Sequence, residues 1–324
     1  MIFAKFVVNA VLLSFFIFCS SAKAEYPEKV IKLIVSFPPG SSTDLVARAL
    51  QDPLSQALGQ NVVIENRAGA EGYVGAAYAA NSAGDGYTLL VAPTGVFVTP
   101  LLRRKPLYDP RKDFSPIGLI GEFSAPMLVV SSNSRIHNFP QFISEIKQTE
   151  MFYGTGNISG ILAGEQLRSL LGVKVVQVPY KGEAEALGEM LAGRVDWMFV
   201  LPTVAGSFID GGKIRPLLTT SLKRDPFFSN VPSVSEFGRV DLANWQEIGS
   251  LVALMGPANL PKDISKKISQ ALFMVLQKNE VRERLKKIVF HSNFSNSEEL
   301  SRLIDKKIDT WNSLIERNGI KKID

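Results

Sequence analysis

Few side chains in this sequence have the types and spacing that catalysis needs. The 324 residues include two histidines, His137 and His291, and one cysteine, Cys19. Both histidines stand in polar stretches that are typical of exposed loops. A histidine-based zinc site or a Ser-His-Asp triad would have to use one of them. The sequence therefore favours binding over catalysis, and it predicts no metal and no cofactor.

Two glycine-containing segments match nucleotide-binding motifs only in part. Residues 154–160 have the spacing G-x-G-x-x-x-G, which is one residue longer than the dinucleotide fingerprint. The pair Gly212-Lys213 lacks both the earlier Gly and the following Ser or Thr of a phosphate-binding loop. We therefore reject both kinds of site.

The polar loops that follow two predicted strands are better candidates for a binding site. The first loop, Phe37–Asp44, contains Ser41 and Thr43 and opens the first long helix. The second loop, Tyr153–Gly160, also leads into a helix. Unpaired backbone amides and the helix dipole make such helix starts favourable for anions. Ser41 and Asp44 also fit a capping box, so a purely structural role stays open for Asp44.

The absence of basic residues from both loops indicates which class of anion they would bind. Neither loop contains Lys or Arg, which polyphosphate sites usually recruit. The two loops therefore predict a small carboxylate held between two helix starts. The formal net charge of the chain is +5, and residues 25–324 carry 34 Lys and Arg against 31 Asp and Glu. Such a small excess gives little support for a nucleic-acid partner.

The first 24 residues have the pattern of a secretory signal peptide. Lys5 precedes an uncharged, mostly apolar run, Phe6–Ser21, and Ala22-Lys23-Ala24 follows as a cleavage pattern. The run is shorter than the roughly 20 residues of a spanning helix, although an uncleaved anchor is the alternative. Cleavage after Ala24 would remove Cys19 and leave a chain without disulfides. We therefore expect a periplasmic protein.

From Val30 onward, β-rich runs alternate with helical patterns, as in βαβ units of an α/β fold. The first half predicts strands at Val30–Phe37, Asn61–Glu65 and Tyr87–Ala92, and helices at Ser42–Leu58 and Tyr73–Asn81. Pro53 predicts a kink or a break in the first helix. A connector rich in Pro and charged residues follows at Arg103–Pro116.

The second half repeats the alternation and ends differently. It predicts strands at Met127–Ser131, Met151–Gly154, Lys174–Val178 and Asp196–Val200, and helices at Gly160–Leu171 and Ala184–Ala192. From Pro261 the chain is predicted to be nearly all helical, with helices at Pro261–Gln277, Glu280–Ile288 and Ser297–Asn318. Two α/β units suggest two lobes with a binding cleft between them.

An ordered set of motifs extends over nearly the whole chain after residue 24. The motifs are Phe37-Pro38-Pro39-Gly40 with Asp44, Glu65-Asn66-Arg67-Ala68-Gly69-Ala70, Asp85-Gly86-Tyr87-Thr88, Leu162-Ala163-Gly164-Glu165, Val178-Pro179-Tyr180-Lys181-Gly182, Gly193-Arg194-Val195-Asp196 and Val231-Pro232-Ser233-Val234. In these motifs the chain resembles the periplasmic substrate receptors of tripartite tricarboxylate transporters, known as Bug receptors.

The resemblance implies a type II periplasmic binding protein with two lobes, a "Venus flytrap" in which each lobe is a Rossmann-like sheet flanked by helices. We expect residues 25–124 plus 246–324 in the first lobe and residues 125–245 in the second. Hinges are expected near Phe123–Pro126 and Leu242–Glu247. The lobes would close on a small organic acid, which a membrane permease then receives.

The resemblance also implies the binding residues. They are Ser41, Thr43, Asp44 and Thr94 in the first lobe, and Thr155, Gly156, Asn157, Ser159, Tyr180 and Asp196 in the second. Asp196 has an alternative role, as a strand-end residue that bonds its own turn. Two positions depart from the family pattern: Ser41 replaces the usual second Gly, and Ile161 replaces a common His.

The expected partners are a small organic acid and the membrane subunits of a tripartite transporter. The acid could be a di- or tricarboxylate, an aromatic acid or an amino acid. We expect a monomer that binds no nucleic acid and is not an enzyme. A sensory receptor that presents its ligand to a membrane kinase, or a secreted hydrolase on the same frame, is the alternative.

Overall fold

The computed structural model describes residues 26–239, 251–317 and 322. Its strands are β1 (Ile31–Val35), β2 (Val62–Asn66), β3 (Thr88–Pro93), β4 (Phe114–Phe123), β5 (Met127–Ser131), β6 (Met151–Thr155), β7 (Val175–Pro179), β8 (Trp197–Val200), β9 (Ile214–Thr219), β10 (Leu251–Pro257) and β11 (Phe290–Ser295). The predicted signal peptide, residues 1–24, and the predicted hinge at Leu242–Glu247 lie outside the described residues.

Helices connect most of these strands, which confirms the α/β fold class. They are α1 (Ser42–Leu58), α2 (Tyr73–Ala80), α3 (Thr94–Val98), α4 (Phe139–Gln148), α5 (Ile158–Leu171), α6 (Glu183–Leu191), α7 (Pro202–Asp210), α8 (Lys262–Gln277), α9 (Asn279–Lys287) and α10 (Ser297–Arg317). None of the helices in the described part of the chain is both long and apolar enough to cross a membrane.

The first sheet has six strands in the order β11-β4-β10-β3-β1-β2. β1 pairs in parallel with β2 and β3, whereas β10 is antiparallel to β3 and β4, and β4 to β11. Side chains alternate between two faces: Leu33 and Val91 belong to one buried cluster, and Ile34 and Leu90 to another. α1 and α8 pack on the first face, and α2, α3 and α10 on the second.

The second sheet has five strands in the order β7-β6-β8-β5-β9. β6 is parallel to β7 and β8, and β5 runs antiparallel to β8 and β9. On one face Trp197 stacks on Tyr153 with ring centroids 4.8 Å apart, beneath α4 and α5. On the other face Met198 and Val200 pack beneath α6 and α7. Buried apolar residues on both faces thus hold the helices on this sheet.

The chain passes from the first sheet to the second through the three residues between β4 and β5. This short segment coincides with the predicted hinge at Phe123–Pro126. The hydroxyl of Ser124 bonds Nε2 of His291 at 3.0 Å, and Thr220 donates from its N–H and its hydroxyl to the carbonyl of Pro126. The predicted lobe boundaries, 25–124 plus 246–324 and 125–245, stay a prediction.

The predicted break at Pro53 is wrong, because α1 runs without interruption from Ser42 to Leu58. Pro53 lacks the N–H that would continue the hydrogen-bond ladder of the helix. The helix nevertheless buries Val46, Leu50 and Leu54 against the first sheet and α8. Burial of each such side chain contributes about 2 kcal/mol, which is enough to offset one lost hydrogen bond.

The sequence pattern does not predict the antiparallel strands β4, β9, β10 and β11, whereas it predicts β5 with its observed bounds. β4 begins at Phe114, inside the segment Arg103–Pro116 that is predicted as a connector. β11 interrupts the tail that is predicted to be nearly all helical, and it places His291 on a strand instead of in a loop. Asn is depleted in β-strands, and this strand pairs with β4.

Candidate ligand-binding site

A small cavity lies where the parallel strands of both sheets end. Its volume is about 40 Å³, which is room for a few water molecules. The residues that line it are Phe37, Ser41, Ser42, Thr43, Pro93, Thr94, Gly95, Phe123, Gly156, Asn157, Ile158, Ser159, Glu183, Leu201 and Leu251. Helices α1 and α3 follow strands of the first sheet, and α5, α6 and α7 follow strands of the second. The cavity is therefore surrounded by helix amino termini.

The start of α1 forms the side of the cavity nearest the first sheet. Ser41 is the N-cap, and its hydroxyl accepts a hydrogen bond from the N–H of Asp44 at 3.3 Å. Ser42 and Thr43 are in the first turn, where a helix offers no acceptor for their N–H groups. Gly40, with φ of 81°, has the left-handed conformation that glycine adopts without strain. These features direct amides and hydroxyls into the cavity.

Asp44 supports this loop and does not line the cavity. Its Oδ2 accepts hydrogen bonds from the N–H of Gly40 at 2.8 Å and from Nε of Arg48 at 2.7 Å, and its Oδ1 accepts one from Nδ2 of Asn66 at 2.8 Å. Burial alone would raise the pKa of Asp44, but the hydrogen bonds from Arg48, Asn66 and Gly40 lower it overall. The structural role that the sequence left open is the one that these contacts support.

The start of α5 forms the opposite side. Asn157 is the N-cap, and its Oδ1 accepts a hydrogen bond from the N–H of Gly160 at 2.8 Å. Ser159 follows in the first turn and lines the cavity. A Cβ at Gly156 would lie 2.2 Å from the backbone N of Glu183, so only glycine lets this loop contact the start of α6.

Glu183 connects the two sides of the cavity by hydrogen bonds. It is the first residue of α6, and only 7% of its surface is exposed. Oε2 accepts a hydrogen bond from the hydroxyl of Ser42 at 2.9 Å, and Oε1 accepts one from the N–H of Leu201 at 2.8 Å. The side chain of Asn157 also bonds this carboxyl group. Burial raises the pKa of Glu183 to about 7, although these hydrogen bonds act to lower it.

Six of the ten predicted site residues line the cavity. They are Ser41, Thr43, Thr94, Gly156, Asn157 and Ser159. Thr94 is buried at the start of α3, and its hydroxyl points to the carbonyl of Leu251 at 3.5 Å. The structure thus brings together residues that are more than 100 positions apart in the sequence. Among the residues lining the cavity there is no Lys and no Arg.

The other predicted residues of the second sheet do not reach the cavity. The hydroxyl of Thr155 accepts a hydrogen bond from Nε2 of Gln177 on the neighbouring strand β7. Tyr180 packs against the buried cluster beneath α6. Burial, followed by the nearby charge of Glu189, raises the pKa of the Tyr180 phenol. Both side chains therefore contribute to the packing of this sheet.

Asp196 does not line the cavity, in contrast to its prediction as a binding residue. It precedes β8, and its Oδ2 accepts a hydrogen bond from the N–H of Phe152 at 2.7 Å at the beginning of the parallel strand β6. The cavity lies at the other end of these strands, so Asp196 belongs to the opposite edge of the sheet. This contact differs from the alternative role, a bond within its own turn, because Phe152 lies on the neighbouring strand β6.

The sequence analysis missed Glu183 and the first-turn residue Ser42. A signal for Glu183 was present, because it follows the Val178–Gly182 motif directly and begins the helix after β7. Carboxyl ends of neighbouring parallel strands meet at one edge of a sheet, so this helix start had to lie beside the start of α5. Ile161, the position of the common family His, packs against the hydrophobic core and does not line the cavity.

The chemistry of the cavity is that of an anion-binding site with apolar walls. Helix amino termini from both sheets present amides and hydroxyls, whereas Phe37, Phe123 and Leu251 present apolar surface. Neither histidine lines the cavity. Within residues 26–239 and 251–317, no group of three His, Cys, Asp or Glu side chains could hold a metal ion.

Comparison with known proteins agrees with this architecture. Residues 46–320 match the family model described as the tripartite tricarboxylate transporter family receptor. Protein BugT of Bordetella pertussis is 28% identical, with 91% of each chain covered. A protein of Agrobacterium vitis, encoded in the ttuE-ttuC' intergenic region, is 32% identical over 82% of this chain and 76% of its own.

Solved structures share the fold over most of the chain. The periplasmic binding protein BugD is 30% identical, with a TM-score of 0.85 over 92% of this chain and all of that one. A Rhodopseudomonas palustris protein solved with adipate is 28% identical, with a TM-score of 0.86 over the same shares. The fold is thus that of a periplasmic binding protein, and the chain belongs to the tripartite tricarboxylate transporter receptor family.

Proposed function

We propose that this protein is an extracytoplasmic receptor that binds a small organic carboxylate in the cavity and delivers it to a tripartite tricarboxylate-type membrane transporter. The observation that carries the proposal is the convergence of the starts of α1 and α5, from different sheets, on one cavity. Family membership supports it, as do the structural relatives solved with adipate and with malate. We propose the lining residues Ser41, Thr43, Thr94, Gly156, Asn157 and Ser159 as the binding residues.

The role of an extracytoplasmic receptor also implies where the chain is located, its oligomeric state and its partners. The segment 1–24 would direct the chain to the periplasm and be removed there, and the receptor would act as a monomer. We propose that it catalyses no reaction, since a carboxylate at helix amino termini is held by hydrogen bonds and charge without an activated nucleophile. Its partners would be the membrane subunits of the transporter.

Ligand exchange requires the two sheets to move apart. Hydrogen bonds such as that between Ser42 and Glu183 connect the two sides of the cavity, so a ligand enters between them only when they separate. Rotation about the segment Phe123–Pro126 would open it. A ligand can favour the closed form only through the contacts that this form adds. Bonds to α1 and α5 together provide such contacts.

A thermal-shift screen tests the binding function. The exported protein is heated with organic acids, amino acids and neutral sugars. A ligand at 100 times its Kd adds about 2.7 kcal/mol to the free energy of unfolding, so we expect an increase in Tm with carboxylates. Ser159→Tyr, which fills the cavity from α5, should abolish the increase, and Ser169→Tyr on the exposed part of the same helix should preserve it. Increases with neutral compounds alone would refute the proposal.

A further inference from the structure

The carboxyl group of Glu183 occupies the place where several helices begin. Its three donors are the hydroxyl of Ser42 in the first turn of α1, the N-cap side chain of Asn157 on α5 and the N–H of Leu201, the N-cap of α7. This is the kind of position at which helix amino termini bind a foreign anion. Here a carboxyl group of the protein itself already takes up these donors.

A second carboxylate at this end of the cavity would meet two obstacles. The donors that could receive it are used by Glu183. When Glu183 is ionised, the negative charge of the second carboxylate would also lie beside another buried carboxylate. Placing like charges together in a desolvated site is costly. None of the cavity-lining residues is a Lys or Arg that could compensate for the second charge. The first-turn N–H of Thr43 at the start of α1, in contrast, has no acceptor within the helix.

We infer that Glu183 determines specificity: it excludes dicarboxylates and selects ligands that have one carboxylate and, at the other end, a hydrogen-bond donor such as an amide or ammonium group. The ligand's carboxylate would bind the start of α1 through Thr43, away from the bond between Ser42 and Glu183, and its donor would face Glu183. This inference rests on the proposed function and narrows its substrate class. An amino acid or the monoamide of a dicarboxylic acid has the required chemistry.

Matched ligand pairs test the inference by isothermal titration calorimetry. The pairs are succinate with succinamate, adipate with adipamate, and aspartate with asparagine, in which an amide replaces one carboxylate at nearly constant size. The measurement is made at pH 8.5, where Glu183 with a pKa of about 7 is mostly ionised. For the wild type we expect the amide of at least one pair to bind about tenfold more tightly or better than its dicarboxylate.

Substitution of Glu183 should change the preference itself. In Glu183→Gln the negative charge is absent and an amide can donate, so the ratio of the two affinities should fall at least tenfold or reverse, an effect of the size given by one buried charge. The matched control is Glu185→Gln on the same helix, which removes an exposed charge and should leave the ratio unchanged. A residue that only holds the fold would alter both affinities alike.

The ratio of amide affinity to dicarboxylate affinity in the wild type tests the inference even if the Glu183→Gln variant does not fold. Dicarboxylates that bind as tightly as their amides, or a wild type that binds none of the amides, would overturn it. An unchanged ratio in a folded Glu183→Gln variant would overturn it as well. Failure of the proposed function has a different result, namely no binding of any carboxylate in the broad thermal-shift screen.

Discussion

At the scale of single residues, the two acidic side chains beside the cavity have different roles. Asp44 is saturated by Gly40, Arg48 and Asn66, and it fixes the loop that presents the start of α1. Glu183 bonds donors on both sides of the cavity, without a basic side chain among the residues that line it. The first carboxylate is therefore stabilised as an anion, whereas burial of the second favours its protonated form.

The raised pKa of Glu183 predicts a pH-dependent stability. Its pKa rises from an ordinary 4.5 to about 7 on folding, so the folded state binds the proton more tightly. This stabilisation is complete below pH 4.5 and is lost as the pH rises to about 7. The difference in free energy of unfolding between wild type and Glu183→Gln should fall by up to about 3 kcal/mol over this range.

Urea unfolding of both proteins at a series of pH values measures this difference. Asp44, Arg48, Lys181 and Glu185 on the adjoining elements are the same in both chains, so their contributions to the difference cancel. A difference that stays constant from pH 4.5 to pH 8 would show that the carboxyl group of Glu183 is not desolvated on folding.

At the scale of helices and strands, close packing of α5 on β6 depends on a glycine. A Cβ at Gly164 would lie 2.2 Å from Cε2 of Tyr153, whose ring is also stacked on Trp197. Gly164→Ala should therefore lower the free energy of unfolding by about 1–3 kcal/mol. At Gly188 on α6 a Cβ meets no atom within 4 Å, and Gly188→Ala should raise it by roughly 0.5–1 kcal/mol.

Chemical denaturation of the two variants measures both changes. Helix propensity alone would make both Gly→Ala substitutions stabilising. Equal changes in the free energy of unfolding at Gly164 and Gly188 would therefore contradict the packing of α5 against the Tyr153 ring.

The sequence predicts best the elements whose start and end are marked by nearby residues, such as an N-cap. α1 has its N-cap at Ser41, as the loop pattern indicates, and its predicted bounds are confirmed. β4, β10 and β11 form by antiparallel pairing between distant segments, and a local pattern does not identify the partner of such a strand. The same limit applies to the site: the two loops could be predicted from strand-to-helix transitions, but the contact between Ser42 and Glu183 spans 141 positions.

At the scale of the whole molecule, the two sheets have parallel strands that end at a common cavity. The starts of α1 and α3 come from the first sheet, and those of α5, α6 and α7 from the second. The helix starts of one sheet alone do not enclose a ligand. Binding would therefore favour the closed form through bonds that both sets make at the same time, and the transporter would receive the closed receptor.

A crystal structure of the protein with a bound carboxylate from the thermal-shift screen tests this account most directly. We predict that the ligand's carboxylate lies within hydrogen-bond distance of the N–H of Thr43, while the same molecule contacts Asn157 or Ser159 at the start of α5. A ligand bound outside the cavity, or contacts with the helices of one sheet only, would contradict the account.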